Sequence, residues 1–325
     1  MIESNNVRWL LLIHQIPPKP NYLRVKIWRR LHRLGAVAIK NSVYVLPKND
    51  QTQEDFQWVL REIIEGSGDG TLCEARLIDG LTDDHVEALF QSAREADYAH
   101  IAEEARLLGK TLPVKVKPAE ARRVQLEHEI VRLRKRFDDL IAIDFFGAPG
   151  REAASGLVSG IEARIRGNKA AAPSQTRMDR EKLRGKIWVT RKGIHVDRMA
   201  SAWLVRRFID ESAKFKFVPA KGYKPLSREI RFDMFEAEFT HEGDRCTLEV
   251  LIKRAGIEDP ALIPIAEIVH DIDLKDSKFK RQESLGIERL IAGIAMSSKD
   301  DDQRLARGIA VFNDLYEYFR RKRGK

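Results

Sequence analysis

Three histidines in the C-terminal half of the chain sit among carboxylates and guanidiniums: His195 in RKGIHVDR, His241 in EFTHEGDR and His270 in EIVHDID. Imidazole and carboxylate together are ligands for divalent transition metals. The expected metal set is therefore His195, His241 and His270 with Glu238, Glu267 and Asp271. Glu267 and His270 are three residues apart, so on a helix their side chains project together. Glu238 is odd-spaced from His241, which puts the two on opposite faces of a regular strand unless a bulge intervenes. Asp271 or Asp273 offers a second carboxylate to orient a histidine from behind. Arg191 and Arg198, close to a helix start, supply a competing chemistry: oxyanion binding by guanidiniums and backbone N–H groups. Each histidine taken singly reads as a hydrogen-bonded core or turn residue, and only convergence of the three would make a site. Cys246 is a soft ligand or redox thiol in principle, but its apolar flanks read as a strand that buries it.

The elements that must position these groups follow from periodicity. Ile187 to Val189 reads as a strand entering a core, followed by a turn at Gly193. Asp197 reads as the N-cap of a helix carrying Met199, Ala202, Trp203, Val205 and Phe208. Ala237 to Val250 reads as a hairpin turning at Glu242-Gly243-Asp244. The chain closes on an amphipathic helix from Gln303 to Lys322.

At the other end, Val7 to Ile16 reads as a strand stopped by Pro17-Pro18. A helix over 22–34 turns Val25, Trp28, Leu31 and Leu34 inward and ends at Gly35. A strand over Ala36 to Leu46, a helix from Asp55 to Glu65 and a strand from Thr71 to Asp79 complete a ferredoxin-like module. Between the ends lie helices from Asp83 to Gly109 and from Ala119 to Ile143, a weaker helix over 151–166, and a linker at 167–174. The expected fold class is α+β. The expected division is a ferredoxin-like domain over 1–85, a helical connector over 86–177 and an α+β site domain over 178–325.

Charge separates the two ends. The 325-residue chain carries a net charge of +9. Between Glu3 and Asp50 there is no acidic residue, while nine are basic. Lys26, Arg29, Arg30 and Arg33 recur at helical spacing and form a single-sign stripe. Such a stripe forgoes the stabilising opposite-charge pairs of an ordinary solvated helix. It suits contact with nucleic-acid phosphates, with Arg24, Lys26, Arg29, Arg30, Arg33 and Lys40 as the contacting set. The competing reading is a helix whose charges are matched by acids from elsewhere in the fold.

An apolar fraction of 43% supports real cores and argues against global disorder. The two cysteines, Cys73 and Cys246, imply no disulfide framework. No stretch has the apolar length of a transmembrane helix, and the N-terminus lacks the pattern of a secretory signal. The expectation is a cytoplasmic protein without membrane contact, with homodimerisation through the middle helices open.

The run HVDRMASAWLVRRFID, with FTHEGDRCTLEVL and IVHDIDLKD downstream, closely resembles the C-terminal domain of the bacterial chromate-resistance ChrB proteins. The run LLIHQIPPKPNYLRVKIWRRLHRLGAVAIKNSVYVLP resembles their N-terminal domain, and is distantly similar to the ferredoxin-like domains of phenylacetate-type repressors and small CRISPR-adaptation nucleases. The resemblance implies a chromate-responsive transcriptional regulator of a chromate-resistance operon. On that view the basic N-terminal face meets operator DNA and the C-terminal domain senses chromate, a related oxyanion or a metal. The family's C-terminal motif maps onto His195, Asp197, Arg198, Glu238, His241, His270 and Asp271. The competing classes are a metal-dependent enzyme or redox protein using the same His/Glu/Asp groups, and a passive chromate-binding protein. With no nucleophile or base singled out, the regulator is the expected class and no catalytic residue is assigned.

Overall fold

Trp9–Gln15 forms strand β1, and its residues Trp9, Leu10 and Leu12 are fully buried. The computed structural model describes residues 8–19, 21–112, 120–165, 178–219 and 222–322. It divides the chain into two units, 1–98 with 138–149 and 99–137 with 150–325. The expected linker at 167–174 and the residues 323–325 lie outside the described residues.

In the first unit β1 is followed by helix α1 (Asn21–Arg33), strands β2 (Val37–Lys40) and β3 (Val43–Pro47), helix α2 (Asp50–Glu65) and strand β4 (Asp69–Ala75). The strands pair antiparallel in the order β2-β3-β1-β4, which is the ferredoxin-like arrangement. Three expectations need correction here. The single strand over Ala36 to Leu46 is a hairpin, because Asn41-Ser42 turns the chain with Ser42 at φ +61°. The second helix begins at Asp50, because Asn49 and Thr52 form a reciprocal capping box. The inward face of α1 is Leu23, Ile27, Leu31 and Leu34, while Val25 and Trp28 point outward. That stripe also follows helical spacing, and the sheet selects it over the one containing Trp28.

Helices α3 (Asp83–Thr111) and α4 (Glu120–Ile143) each begin in one unit and end in the other, so the stretch expected as a separate connector is shared between the units.

In the second unit, helix α5 (Arg151–Ile165) precedes strand β5 (Ile187–Arg191), helix α6 (Val196–Leu204), strands β6 (Lys214–Val218) and β7 (Glu229–Arg231), and helices α7 (Thr247–Arg254), α8 (Leu262–Leu274), α9 (Ser284–Ser297) and α10 (Asp301–Lys322). The sheet is parallel, in the order β6-β5-β7. Its central strand β5 opens on the apolar run Ile187-Trp188-Val189 and is buried from Trp188 to Arg191, as a strand covered on both faces should be. Helix α6 continues into a π-helical turn over Val205–Ile209. Trp188, Trp203, Phe232, Phe239 and Phe312 centre the core. Gly308 of α10 lies so close to α6 that a Cβ there would stand 2.8 Å from Met199 Sδ.

Two local readings are overturned in this unit. The N-cap of α6 is His195, so Asp197 lies inside the first turn with its carboxylate directed elsewhere. The segment from Cys246 onward is helix α7, not the second strand of a hairpin. Glu249 accepts from the Cys246 N–H at 2.9 Å, a cap three residues into the helix that outweighs the apolar alternation around it. The turn at Glu242–Arg245 remains as an isolated bridge.

Candidate metal centre

The parallel sheet has its central strand joined to one edge and then, across itself, to the other. Such an order opens a crevice beyond the carboxyl ends of the strands. Arg191 ends β5, Asp233 follows β7, and Asp197 and Arg198 occupy the first turn of α6. All four are buried, together with His241 from the turn before α7.

His241 is the centre of this group. Its Nε2 lies 2.7 Å from Asp273 Oδ2 of α8 and 4.0 Å from Asp197 Oδ2. Its Nδ1 lies 3.5 Å from Asp233 Oδ1 and 3.5 Å from the Thr247 hydroxyl, which itself donates to Asp233 at 3.0 Å. Asp197 accepts from the backbone N–H groups of Thr247 and Leu248 at 2.8 and 2.9 Å, so it caps α7 rather than its own helix. Asp233, with φ +45°, pairs with Arg198 at 3.0 Å. Glu152 of α5 pairs with Arg191 at 2.9 Å. Both pairs are buried, which demands that each charge find its opposite.

Burial by itself would lower the His241 pKa. The hydrogen bond that His241 donates to Asp273 and the charges of Asp273, Asp233 and Asp197 outweigh it and push the value up to about 10. Burial and the neighbouring Asp233 and Asp273 charges raise the Asp197 carboxyl well above its ordinary range, against the pull of His241 and the Leu248 N–H. Burial also opposes ionisation of Asp233, yet Arg198, His241 and Arg191 hold its pKa below the usual value. Without a metal, protons supply the cationic charge that this acidic pocket requires.

A metal ion can take their place. Among the described residues, Asp197, His241 and Asp273 each bring one ligand atom within 4.8 Å of the others. Ligand atoms around a tetrahedral ion at Zn-like bond lengths stand about 3.3 Å apart. The observed separations from Nε2, 2.7 and 4.0 Å, bracket that spacing. One imidazole with two carboxylates is a borderline-to-hard donor set, suited to Zn, Mn or Fe(II) over Cu(I).

The other expected residues are placed differently. His195 is exposed at the start of α6. His270 is fully buried, with Nδ1 at 2.7 Å from Glu249 and Nε2 at 3.4 Å from Asp276. Its pKa is raised because Glu249 and Asp276 overcome the opposing effect of burial. Glu267 faces Arg281 at 3.5 Å. Asp271 accepts from the Phe279 and Arg281 backbones, both at 2.9 Å. Glu238 is engaged by Arg231 at 3.0 Å. Arg191 and Arg198, expected to meet an oxyanion, are paired with Glu152 and Asp233. Cys246 is buried at the N-cap of α7, where burial and the charges of Asp197, Glu249 and Asp273 push its thiol pKa well up. Sequence reasoning weighed Asp273 only as an orienting group, took Asp197 as a cap and as a member of the family motif, and missed Asp233, Glu152 and Thr247. The three-residue step from Cys246 to Glu249 was the local signal that the segment turns helical.

In the first unit, Arg24, Arg29, Arg33 and Lys40 are exposed, while Lys26 lies 3.9 Å from Glu62 and Arg30 pairs with the same carboxylate. One acid from α2 thus answers part of the basic stripe.

Fold and site together define an α+β protein with a ferredoxin-like N-terminal unit and a C-terminal unit built around a buried acid–histidine cage. The family model described as "ChrB, C-terminal domain" matches residues 188–319, and that described as "Protein ChrB, N-terminal" matches residues 24–171. The chain belongs to the ChrB family. It is 28% identical over 326 residues to Protein ChrB of Cupriavidus metallidurans, an alignment covering 98% of this chain and 97% of that protein. No solved structure matches the chain. No helix among the described residues is long and apolar enough to cross a membrane.

Proposed function

We propose that this protein is a chromate-resistance regulator whose C-terminal unit binds a divalent metal at Asp197, His241 and Asp273 and whose N-terminal unit binds operator DNA. The buried carboxylate cage around His241 carries the reading. Asp197, Asp233 and Asp273 surround one imidazole, a field that attracts a cation and repels a chromate dianion. An oxyanion effector would meet Arg191 and Arg198 only by displacing Glu152 and Asp233. Chromate binding and metal binding would then act on one charge network in opposite senses, which gives a regulator two states for a ligand to distinguish. Arg24, Arg29, Arg33 and Lys40 offer phosphate contacts on the other unit.

The site is closed on two sides: the side chains of His241 and Asp197 are 3% and 1% exposed, and solvent reaches the group only at Asp273, 24% exposed. That closure favours a sensing or structural ion over the metalloenzyme reading. The buried, high-pKa Cys246 thiol likewise argues against redox use.

The test is calorimetric titration of chelator-stripped protein with Zn²⁺ and with Mn²⁺, beside gel retardation of the chain's own upstream DNA with and without chromate. Binding of one ion per chain that is lost in Asp273→Asn, together with chromate-sensitive retardation, supports the reading. No metal uptake by the wild type rejects the cage as a metal site, and retardation indifferent to salt and chromate rejects the regulator.

A further inference from the structure

We propose that the N-terminal unit holds a nucleoside-phosphate site: a cleft in which a base stacks on Trp28 and its phosphate meets Arg24 and Lys40. This deepens the nucleic-acid reading of the unit and rests on it for the class of ligand. The cleft lies between α1, the end of β1 and the β2–β3 hairpin. It has a volume of about 970 Å³ and is lined by His14, Gln15, Arg24, Trp28, Lys40 and Tyr44, among others. That size is in the range of small-molecule sites.

Three features point to an anionic aromatic ligand. Trp28 is 51% exposed, with its ring centroid 4.3 Å from that of His32, so a large apolar face is open beside the cleft. His14 stacks on Tyr44 at 5.7 Å and 15°, and both of its ring nitrogens are buried without a hydrogen-bond partner. Buried polar atoms are nearly always paired, and those left unpaired at a cleft wall mark where a ligand's polar edge fits. Burial lowers the His14 pKa, so the ring is neutral and offers one donor and one acceptor, as the edge of a base requires. Finally, among the described residues no carboxylate lines the cleft and no ion pair engages Arg24 or Lys40. Glu62, the nearby acid, is occupied by Lys26 and Arg30.

Phosphate contacts alone would need neither the orphaned imidazole nor the open indole. Base stacking uses both, and it requires a base out of its duplex stack, either a free nucleotide or an unpaired base of a strand.

The experiment measures fluorescence polarisation of a labelled oligothymidylate with the full-length chain, competed by dTMP, by inorganic phosphate and by a duplex of equal length. Trp28→Ala is expected to weaken single-strand binding about 5- to 100-fold. His14→Phe keeps the ring stack, removes the orphaned nitrogens and is expected to weaken binding while leaving the melting temperature unchanged or higher. Competition by dTMP at millimolar concentration identifies a free nucleotide as the source, and competition only by the longer strand identifies an unpaired base. Both support the site. It is overturned if Trp28→Ala and His14→Phe bind like wild type, if phosphate competes as well as dTMP does, or if no strand binds. Duplex retardation that is lost in Arg29→Ala/Arg33→Ala but kept in Trp28→Ala reports on the regulator reading, and its failure leaves the cleft result standing.

Discussion

Metal-free protein is expected to lose stability as pH rises from neutrality towards 10, with His241 as the main cause. In the folded chain His241 has a pKa of about 10 against an ordinary 6.5. Where the folded state holds a proton that the unfolded state releases, stability falls with rising pH. The contribution is therefore complete below pH 6.5 and disappears as pH passes about 10. A gap of that width corresponds to at most about 5 kcal/mol at 1.36 kcal/mol per unit. Asp197, also raised, acts in the same direction from its own lower starting point. The assay is guanidinium unfolding in chelator at pH 6, 7, 8 and 9, compared with His241→Gln, which keeps a hydrogen bond to Asp273 without the charge. Lysine, cysteine and tyrosine titration affects both proteins and cancels in the difference. The wild type should lose its advantage over the variant across this range. A difference that is flat, or that grows with pH, refutes an imidazolium held between carboxylates.

Further consequences follow from neighbouring contacts. Arg198→Met strips Asp233 of its buried partner and should cost about 3–5 kcal/mol in unfolding free energy, as loss of one member of a buried pair does. A cost below about 1 kcal/mol would place Asp233 in contact with solvent. At Gly156 a Cβ would stand 2.9 Å from His241 Cβ. Gly156→Ala should therefore destabilise by about 1–3 kcal/mol and weaken metal uptake, although alanine in an open helix gains up to about 1 kcal/mol over glycine. Stabilisation by that substitution would mean α5 does not press on the site. In a Cys73→Ser variant the native chain should show no thiol reactive to Ellman's reagent at pH 8, with Cys246 appearing only on unfolding.

Much of the fold is written in local pattern. Continuous apolar runs give β1 and β5, helical spacing gives α3, α4 and α10, and the acid-free stretch singles out α1. Two errors arose where local signals conflicted. Lys40-Asn41-Ser42 is a short polar break between two apolar runs, a turn signal that the apolar residues on either side outweighed. Asp197 has the chemistry of a cap, but it caps α7, some fifty residues later, because the crevice places the α7 N-terminus against it. The acid–histidine cage was legible in its residue types and only partly in its membership. His241 was visible from its acidic setting. Asp233 and Glu152 join it through the order β6-β5-β7 and the packing of α5, and pairing across such distances leaves no mark in spacing. Glu267 and His270 share a helix as expected, yet the turn of that helix directs them to Arg281 and to Glu249, since helix spacing fixes a face without naming the neighbour it meets.

The most direct test is anomalous diffraction from crystals of the chain grown with Zn²⁺ or Mn²⁺. A single peak is predicted about 2.0–2.2 Å from His241 Nε2 and from one oxygen each of Asp197 and Asp273. A peak held instead by His195 or His270, or none with the ion in excess, contradicts the cage.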